Sequence, residues 1–497
     1  MNSIIAYISE VCIKKFDELK GNFFQEPQNL AEYVIDLHQV TDDLCRKMIE
    51  QTIQEIDEEI RKMPARKKNW HVERRNDPKS LTTSVGEVRF LKTLYTSKNE
   101  VDEDGKPVSC YLIDKVLGLA PNQTMTEDAI ARVYEEAVQT SYRKGGEAAS
   151  PNGVSKGTVK NILHDIKFPP NFRIPMIKKT VDYLYIDADE DHYHLQFQGK
   201  KGDLVKSENG YKCNGAITKL IYVFEGIEPD APKSKRHHLV NTHYFCRGDD
   251  IDNKSLWKEV FAYIDATYDV DRIKRIYINS DGGTWIRNGY RGLSDITFVL
   301  DEFHLSKYLL KMTGHLKDSR EDGMNELRDC IRNKTKKDFQ EVVKKLKACT
   351  SSEKIHEKID KAAAYIDSNW TAAKYRLQKK AGVVGCSAEG HVYHVLSSRM
   401  STQAMGWSRH GAAQMARLRE YFYNKGNMLE LAKYQRETLS LAAGGEELVL
   451  SASQMMLSEK ANRTKNQKIY GKYAEAMSGK LSVQNRKKLH FQLLSKI

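Results

Sequence analysis

Several signatures are missing from this 497-residue chain, and each absence narrows the field. There is no G-x-x-x-x-G-K-[ST] loop and no G-x-G-x-x-G turn, which argues against an ATP-driven helicase and against a dinucleotide enzyme. The eight cysteines, at 12, 45, 110, 213, 246, 330, 349 and 386, contain no CxxC pair, so their spacing speaks against a zinc ribbon or finger. Scattered in this way they read as reduced thiols of a cytosolic protein. No apolar run approaches the length that spans a bilayer, and MNSIIAYISEVCIKKFDELK lacks the charged start and apolar core of a signal peptide. The expected location is therefore the cytoplasm, in association with the nucleoid. Acid is also in short supply: 67 Asp and Glu stand against 79 Lys and Arg, a net charge of +12. That balance favours a polyanionic partner, either nucleic acid or an anionic membrane surface.

Length and patterning suggest two to four domains. Residues 1–64 read as two helices, the second from Asn29 to about Met63, with Leu30, Val34, Leu37, Leu44, Met48, Ile53, Ile56 and Ile60 near helical spacing and Pro64 as its stop. Such a helix either pairs with a copy of itself or packs on its own domain. Residues 65–120 combine a basic run with a small β unit. Lys67, Lys68, Arg74 and Arg75 surround Trp70, an arrangement suited to phosphate contact with a base-stacking indole, or to a solvated basic linker. Asp-Gly in EDGK is a hairpin signal. Residues 121–170 give a helix from TEDAIARVYEEAVQTSYRKGG, a short helix at GEAAS, and a helix from VSKGTVKNILHDI capped by Ser155. This resembles a helix-turn-helix, with Ser155, Lys156, Thr158 and Lys160 facing a groove, although short helical hairpins occur in every fold class. Pro169, Pro170 and Pro175 mark a linker.

From 171 to 305 the pattern runs through three strands, a helix and a further strand. Residues 306–380 are almost wholly helical and highly charged, 381–425 follow, and 426–497 are helical and basic, with Lys460, Arg463, Lys465, Lys468, Lys472, Arg486, Lys487 and Lys488. Within this frame, YLYIDADEDHYHLQ (183–196) as a strand places Tyr183, Tyr185, Asp187 and Asp189 on one face and Leu184, Ile186 and Ala188 on the other. Side-by-side carboxylates repel, so a fold keeps such a pair for a proton or a cation, and a hard ion such as Mg²⁺ prefers oxygen ligands. The plainer alternative is a strand that ends in an acidic turn. RIKRIYINSDGGTWI runs a second strand into Asp281, and GCSAEGHVYHVLSSRMS sets Glu389 beside an apolar helix start. Two strand-borne acids and a helix-borne glutamate are the arrangement of a two-metal phosphoryl-transfer site.

The motifs LYIDADEDHYHLQ, HYFCRG, YINSDGGTWIRNG, FVLDEFHLSKYL and SAEGHVYHVLSSRMSTQAMGWSRHGA, in this order and spacing, resemble the DDE transposases of bacterial insertion sequences. The match is nearest the ISLre type and more distantly Mutator-like, and it covers roughly residues 70–425. The resemblance implies an α/β RNase H-like catalytic core with a mixed sheet and a helical insertion at 306–380, preceded by helical and helix-turn-helix regions and followed by a helical tail. It implies Asp189, Asp281 and Glu389 as ligands of Mg²⁺, with Mn²⁺ as a substitute. Asp189 is preferred to Asp187 because a short turn follows the first acid in such enzymes, and Asp187 stays as the fallback. His304, in Asp301-Glu302-Phe303-His304, would contact a phosphate or a DNA end. Gly282 and Gly283 would let DNA backbone approach, while Trp285 is read as core, Asp191 as a turn residue, and Glu353, Glu357 and Glu420 as surface. The implied activity is cleavage of double-stranded DNA at element ends and strand transfer into target DNA, by a homo-oligomer with no membrane role. Two other readings remain: an RNase H-like structure-specific nuclease or resolvase, and a non-catalytic DNA-binding regulator.

Overall fold

Alternating apolar and polar side chains from Trp70 onward build a long antiparallel hairpin, β1 (Trp70–Thr83) and β2 (Gly86–Val101), to which β3 (Pro107–Tyr111) adds an edge. In this computed structural model the described residues are 2–197, 205–206, 212–248, 251–289, 296–380, 382–403 and 405–440. The basic positions from Lys460 to Lys488 lie outside them. The described residues divide into two compact units, one drawn from residues 2–133, 146–155 and 432–440, the other from residues 134–145 and 156–431.

In the first unit, α1 (Leu30–Lys62) closes over β2, and Ile53 and Ile60 join Leu81, Val88, Phe90 and Tyr95 in a core. Trp70 belongs to this core and is 4% exposed, so it offers no face to a base. Nor is its neighbourhood a linker: Lys67 and Lys68 are exposed on a short helix begun by Pro64, and Arg74 and Arg75 are exposed on β1. Arg74 already pairs with Asp77 at 2.7 Å. The EDGK turn is present, with the Gly105 amide donating to Asp102 O at 3.0 Å.

The helix expected to run through TSYRKGG is broken in two. Glu127–Ala137 ends where the Thr140 amide and hydroxyl both return to Glu136 O, each at 2.9 Å, and a separate helix covers Tyr142–Ala148. The next helix, α2 (Lys156–His164), buries Val159 and Leu163 and leaves Lys156 and Lys160 exposed, one turn apart.

The second unit is organised by a five-stranded mixed sheet: β4 (Tyr183–His194), β5 (Gly215–Phe224), β6 (His243–Arg247), β7 (Arg275–Ser280) and β8 (Ile296–Leu300), in the order β6-β5-β4-β7-β8. The first three form an antiparallel meander, and β7 and β8 run parallel to β4. The parallel step requires a crossover, which α3 (Asn253–Thr267) supplies. Its Leu256, Trp257, Val260 and Ile264 pack on Leu184, Ile186 and Ala188 of β4, the apolar face that alternation predicts. After β8 come α4 (Glu302–Thr313), α5 (Arg320–Asn333), α6 (Lys336–Ala348), α7 (Glu353–Ser368) and α8 (Trp370–Gln378). These helices bury Leu305, Leu309, Leu327, Ile331, Phe339, Ile359 and Ile366 in a core continuous with Leu300.

Glu420 departs from its expected surface position. On α9 (Arg409–Tyr423) it is 3% exposed, pairs with the buried Arg247 of HYFCRG, and accepts the Cys246 amide at 2.5 Å. Arg247 also reaches Glu259. Breaking a buried pair strands the other charge, so Glu420→Gln is expected to destabilise the fold by about 3 kcal/mol. The value sits at the low end because Glu259 still faces Arg247. A urea midpoint shift of that size with an unchanged slope checks it; a silent substitution would remove the pair from the fold's support.

Candidate active site

Strand register assembles the site. β4 and β7 pair in parallel with Asp187 level with Asn279, and β7 and β8 pair with Ser280 level with Leu300. Two residues further along β4 and β7, Asp189 and Asp281 emerge as neighbours, and one residue beyond β8 comes Asp301. All of this lies at the carboxyl ends of the parallel strands. An open cleft of about 910 Å³ at this edge is lined by Asp189, Glu190, Asp191, His192, Asp281, Phe303, His304, Lys307, Glu389, Gly390, Val392, Tyr393 and Ser397. Asp189, Asp281, His304 and Glu389 thus reach one cleft from a strand, a strand tip and two different helices.

The cleft acids differ in setting. Asp189 is half-buried and accepts the Glu190 amide at 2.8 Å. Burial pushes its carboxyl up to about 6, helped by the neighbouring charges of Asp281 and Glu190. Asp281 is half-buried at the start of the Asp-Gly-Gly turn, where its Oδ1 accepts the Gly283 amide at 2.8 Å and its carbonyl accepts the Tyr365 hydroxyl at 2.6 Å. Gly282 holds a positive φ of 82°, and a Cβ there would lie 2.6 Å from Asn369 Oδ1. The glycine therefore admits Asn369 of the helical insertion, rather than leaving open space for DNA as expected. Glu389 stands exposed on the short helix Ala388–Val392, at the cleft rim.

His304 is held by the capping residue of its own helix. Asp301 caps α4, its carboxylate accepting the Phe303 and His304 amides, and Asp301 Oδ2 lies 3.0 Å from His304 Nδ1. That hydrogen bond raises the imidazole's affinity for a proton against the opposing effect of burial, and the charges of Asp281, Asp301 and Asp189 add to it. The imidazole, its protonated form favoured in this way, sits beside two carboxylates, with Lys307 one turn further along α4.

Asp187, the fallback for the first acid, does not line the cleft. It is fully buried, and both oxygens are engaged: Oδ1 by Asn279 Nδ2 at 2.7 Å, Oδ2 by the Tyr222 hydroxyl at 2.7 Å and the Ser387 amide at 3.2 Å. Burial outweighs these bonds and pushes its carboxyl up to about 6. Asp191 is not a turn residue but part of β4, buried and accepting Ser397 Oγ at 2.7 Å and Ser401 Oγ at 2.9 Å. Trp285 packs against the sheet core as expected, yet its indole N–H also donates to Glu190 Oε2 at 2.5 Å on the cleft floor. Lys307, Glu190 and Arg376 escaped the sequence reading because lone charges on helix or strand carry no motif. Among the DNA-contact candidates, Ser155, Lys156 and Lys160 are exposed and Thr158 is half-buried.

Do these residues suit a metal? Among the described residues, no three His, Cys, Asp or Glu side chains close around a common ion position. The expected convergence is thus met at the level of one cleft and not at ligand distance. Asp189 and Asp281 nonetheless fit a hard cation: two neighbouring carboxylates whose mutual repulsion and partial burial a divalent ion would relieve. Glu389, exposed on the same cleft, is the third acid within it.

Among the described residues, no helix is long and apolar enough to cross a membrane. Residues 24–437 match the model of the uncharacterised protein family UPF0236. A UPF0236 protein of Caldanaerobacter subterraneus subsp. tengcongensis whose name joins four loci is 34% identical over 414 residues, covering 83% of this chain and 82% of its own length. A second from that organism, whose name joins eleven loci, is 35% identical over 404 residues, covering 81% and 80%. A UPF0236 protein of Streptococcus gallolyticus, named for the vanSb 3′ region, is 22% identical over 418 residues, covering 80% and 83%. Among solved structures, the Drosophila P element transposase strand transfer complex aligns with 64% of this chain and 82% of its own at 13% identity, and its TM-score of 0.20 decides nothing about fold or function. With a family model matched across most of its length and relatives about one-third identical over four-fifths of it, this chain belongs to the UPF0236 family.

Proposed function

We propose that this protein is a DDE transposase of an insertion sequence, a metal-dependent polynucleotidyl transferase with an RNase H-like core. One observation carries the reading: Asp189, Asp281, His304 and Glu389, widely separated in sequence, line a single open cleft at the carboxyl edge of a mixed sheet. The strand order β6-β5-β4-β7-β8, an antiparallel meander followed by two parallel strands, agrees with that core. Relatives whose names join four and eleven loci of one bacterium fit a gene that multiplies within a genome. A net charge of +12 suits a DNA substrate.

In this reading Asp189, Asp281 and Glu389 hold Mg²⁺, or Mn²⁺ in its place. The bound ions would activate a water or a DNA 3′-hydroxyl and stabilise the leaving oxygen of an in-line displacement. The chain's own residues do the rest. Asp281 is held by its turn, which keeps it beside Asp189. His304, oriented by Asp301, offers an N–H donor to a phosphate oxygen, and the Lys307 ammonium offers a second. Lys67, Lys68, Arg74, Arg75, Ser155, Lys156, Thr158 and Lys160 are the proposed contacts to duplex DNA. No protein nucleophile is required, and the protein acts as a homo-oligomer on paired element ends in the cytoplasm.

Glu389→Gln is expected to fold and to bind element ends normally while losing at least about 100-fold in Mg²⁺-dependent cleavage. Glu357→Gln, on an exposed face of α7, is the control that should cleave like wild type. The buried Glu420 cannot serve that purpose. Cleavage by the Glu389 variant within a few-fold of wild type would remove the third acid.

The raised Asp189 carboxyl has its own consequence. In the unfolded chain the group ionises near its ordinary value, whereas in the folded chain it holds its proton up to about 6. The folded state therefore binds more protons between those values, and stability falls as pH rises through that window. In EDTA, Asp189→Asn should raise Tm at pH 8 and leave it unchanged at pH 3, below the ionisation of both states. A fall in Tm at pH 8 would contradict the strained carboxylate.

Binding to duplex ends should weaken steeply with salt. The double variant Lys156→Ala/Lys160→Ala should flatten the log Kd against log salt slope by about 0.9 for each phosphate that is no longer neutralised. An unchanged slope would place the DNA-binding surface elsewhere.

A further inference from the structure

The helical insertion ends next to the site through one buried side chain. Arg376, on α8, is 7% exposed, and its guanidinium donates in three directions: Nε to Leu300 O at 2.8 Å, Nη1 to Val384 O at 2.5 Å, and Nη2 to Asn279 Oδ1 at 2.8 Å. Asn279, itself 1% exposed, uses its amide nitrogen on Asp187 Oδ1 at 2.7 Å. Asp187 Oδ2 then takes the Tyr222 hydroxyl and the Ser387 amide. Tyr222 closes the far end, with its hydroxyl 3.2 Å from Ser387 Oγ and its ring 4.5 Å from the His391 ring.

This chain of bonds touches the strands that lead to Asp189 and Asp281, the strand that leads to α4, and the segment that leads to Glu389. Leu300 ends β8, immediately before Asp301. Asn279 lies on β7, two residues before Asp281, and Asp187 on β4, two residues before Asp189. Val384 and Ser387 bracket the approach to Glu389. The direction of each bond is set by chemistry: a carboxylate only accepts, a guanidinium only donates, and the amide between them does one with each end. In a fully buried setting an inverted bond leaves a polar atom unpaired, so the pattern tolerates no reversal.

We propose that Arg376, Asn279 and Asp187 form a positioning relay that holds residues 382–387, and so the short helix carrying Glu389, at the same cleft as the two strand acids. The helical insertion thereby acts as a positioning element of the site and not as an appended module. The proposal rests on the transposase reading only in naming what Glu389 does. Asp187 works through its hydrogen bonds and never touches a metal.

The test exchanges donor and acceptor. Asp187→Asn alone sets its amide nitrogen against a donor in either orientation, the Asn279 amide or the Ser387 N–H, and Asn279→Asp alone sets a carboxylate against a carboxylate. The double variant Asp187→Asn/Asn279→Asp restores the pattern: the new amide oxygen at 187 accepts Tyr222 and Ser387, its nitrogen donates to the new carboxylate at 279, and that carboxylate accepts Arg376. Two readouts are taken on the full-length chain: amide hydrogen exchange over residues 382–392 in EDTA, and cleavage of an element-end duplex in Mg²⁺. Each single variant, and Arg376→Lys, whose donors all radiate from one nitrogen and cannot span the three acceptors that Nε, Nη1 and Nη2 reach, should speed exchange in that segment and lower kcat about 100-fold with KM unchanged. The double variant should recover wild-type exchange and bring kcat to within a few-fold of wild type.

Single variants that exchange and cleave like wild type would overturn the relay. Recovery of exchange without recovery of cleavage would overturn the claim about Asp187, since its charge would then be needed at that position. If the single variants fail to fold, the double variant decides alone: folded with wild-type exchange supports the relay, unfolded refutes it. A wild-type protein that cleaves no DNA, with exchange responding as described, would leave the relay standing and remove the transposase reading instead.

Discussion

Parallel pairing of β4 with β7 is the constraint on which the rest of the second unit depends. With Asp187 level with Asn279, each further step along both strands advances the two chains together, so Asp189 and Asp281 arrive at the same height. A slip of one residue would turn Asp189 toward α3 and drive Leu184, Ile186 and Ala188 out of the core. Apolar burial on one face of β4 therefore fixes the position of the carboxylates on the other. The same constraint extends across β8, whose register sets Asp301, and Asp301 in turn sets His304 through the first turn of α4.

Charge is distributed unevenly in this fold, and burial separates structural from chemical roles. Asp187 and Glu420 are both buried, and each is surrounded by donors: an amide, a hydroxyl and a backbone N–H for Asp187, a guanidinium and a backbone N–H for Glu420. Buried carboxylates bonded to donors inside the fold are committed to the fold rather than to a ligand. Asp189 and Asp281 are the opposite case. Each takes one nearby backbone amide and faces open space next to the other's negative charge. Charge kept under tension at a cleft wall is a common mark of a functional site. His304 offsets part of it, and Asp301 keeps that imidazole oriented and favours its protonated form.

The helical insertion supports the site in two places. Asn369 occupies the space left by Gly282, next to the Asp281 turn, and the Tyr365 hydroxyl is bonded to the Asp281 carbonyl. Arg376 grips β7, β8 and the segment before Glu389. A run of charged helices, unremarkable as sequence, thus packs behind the second acid and leads the chain to the third.

Much of this was legible in the sequence. Period-two alternation in YLYIDAD put the apolar and acidic residues of β4 on their correct faces, because a strand leaves a side chain no third choice. Amphipathic spacing gave α1 and α3, and the Asp-Gly pair gave the β2–β3 turn, since these follow from local backbone and solvent preferences alone. Trp70, Asp191 and Glu420 were not legible, and Asp189 was preferred to Asp187 only through the family resemblance. Whether a tryptophan stacks on a ligand or fills a core, and whether a carboxylate faces a cleft or a buried guanidinium, is set by what lies across from it. Arg247 and Glu420 are separated by 172 intervening residues and Asp187 and Ser387 by 199, and no local pattern encodes such a pairing. The sequence by itself determined most of the strands and helices and which of their faces are apolar, but not the break between Ala137 and Tyr142 or the run of β4 through Asp191. Only the tertiary structure decided which charges are neutralised inside and which are left to act, because burial and partnership belong to pairs of distant residues.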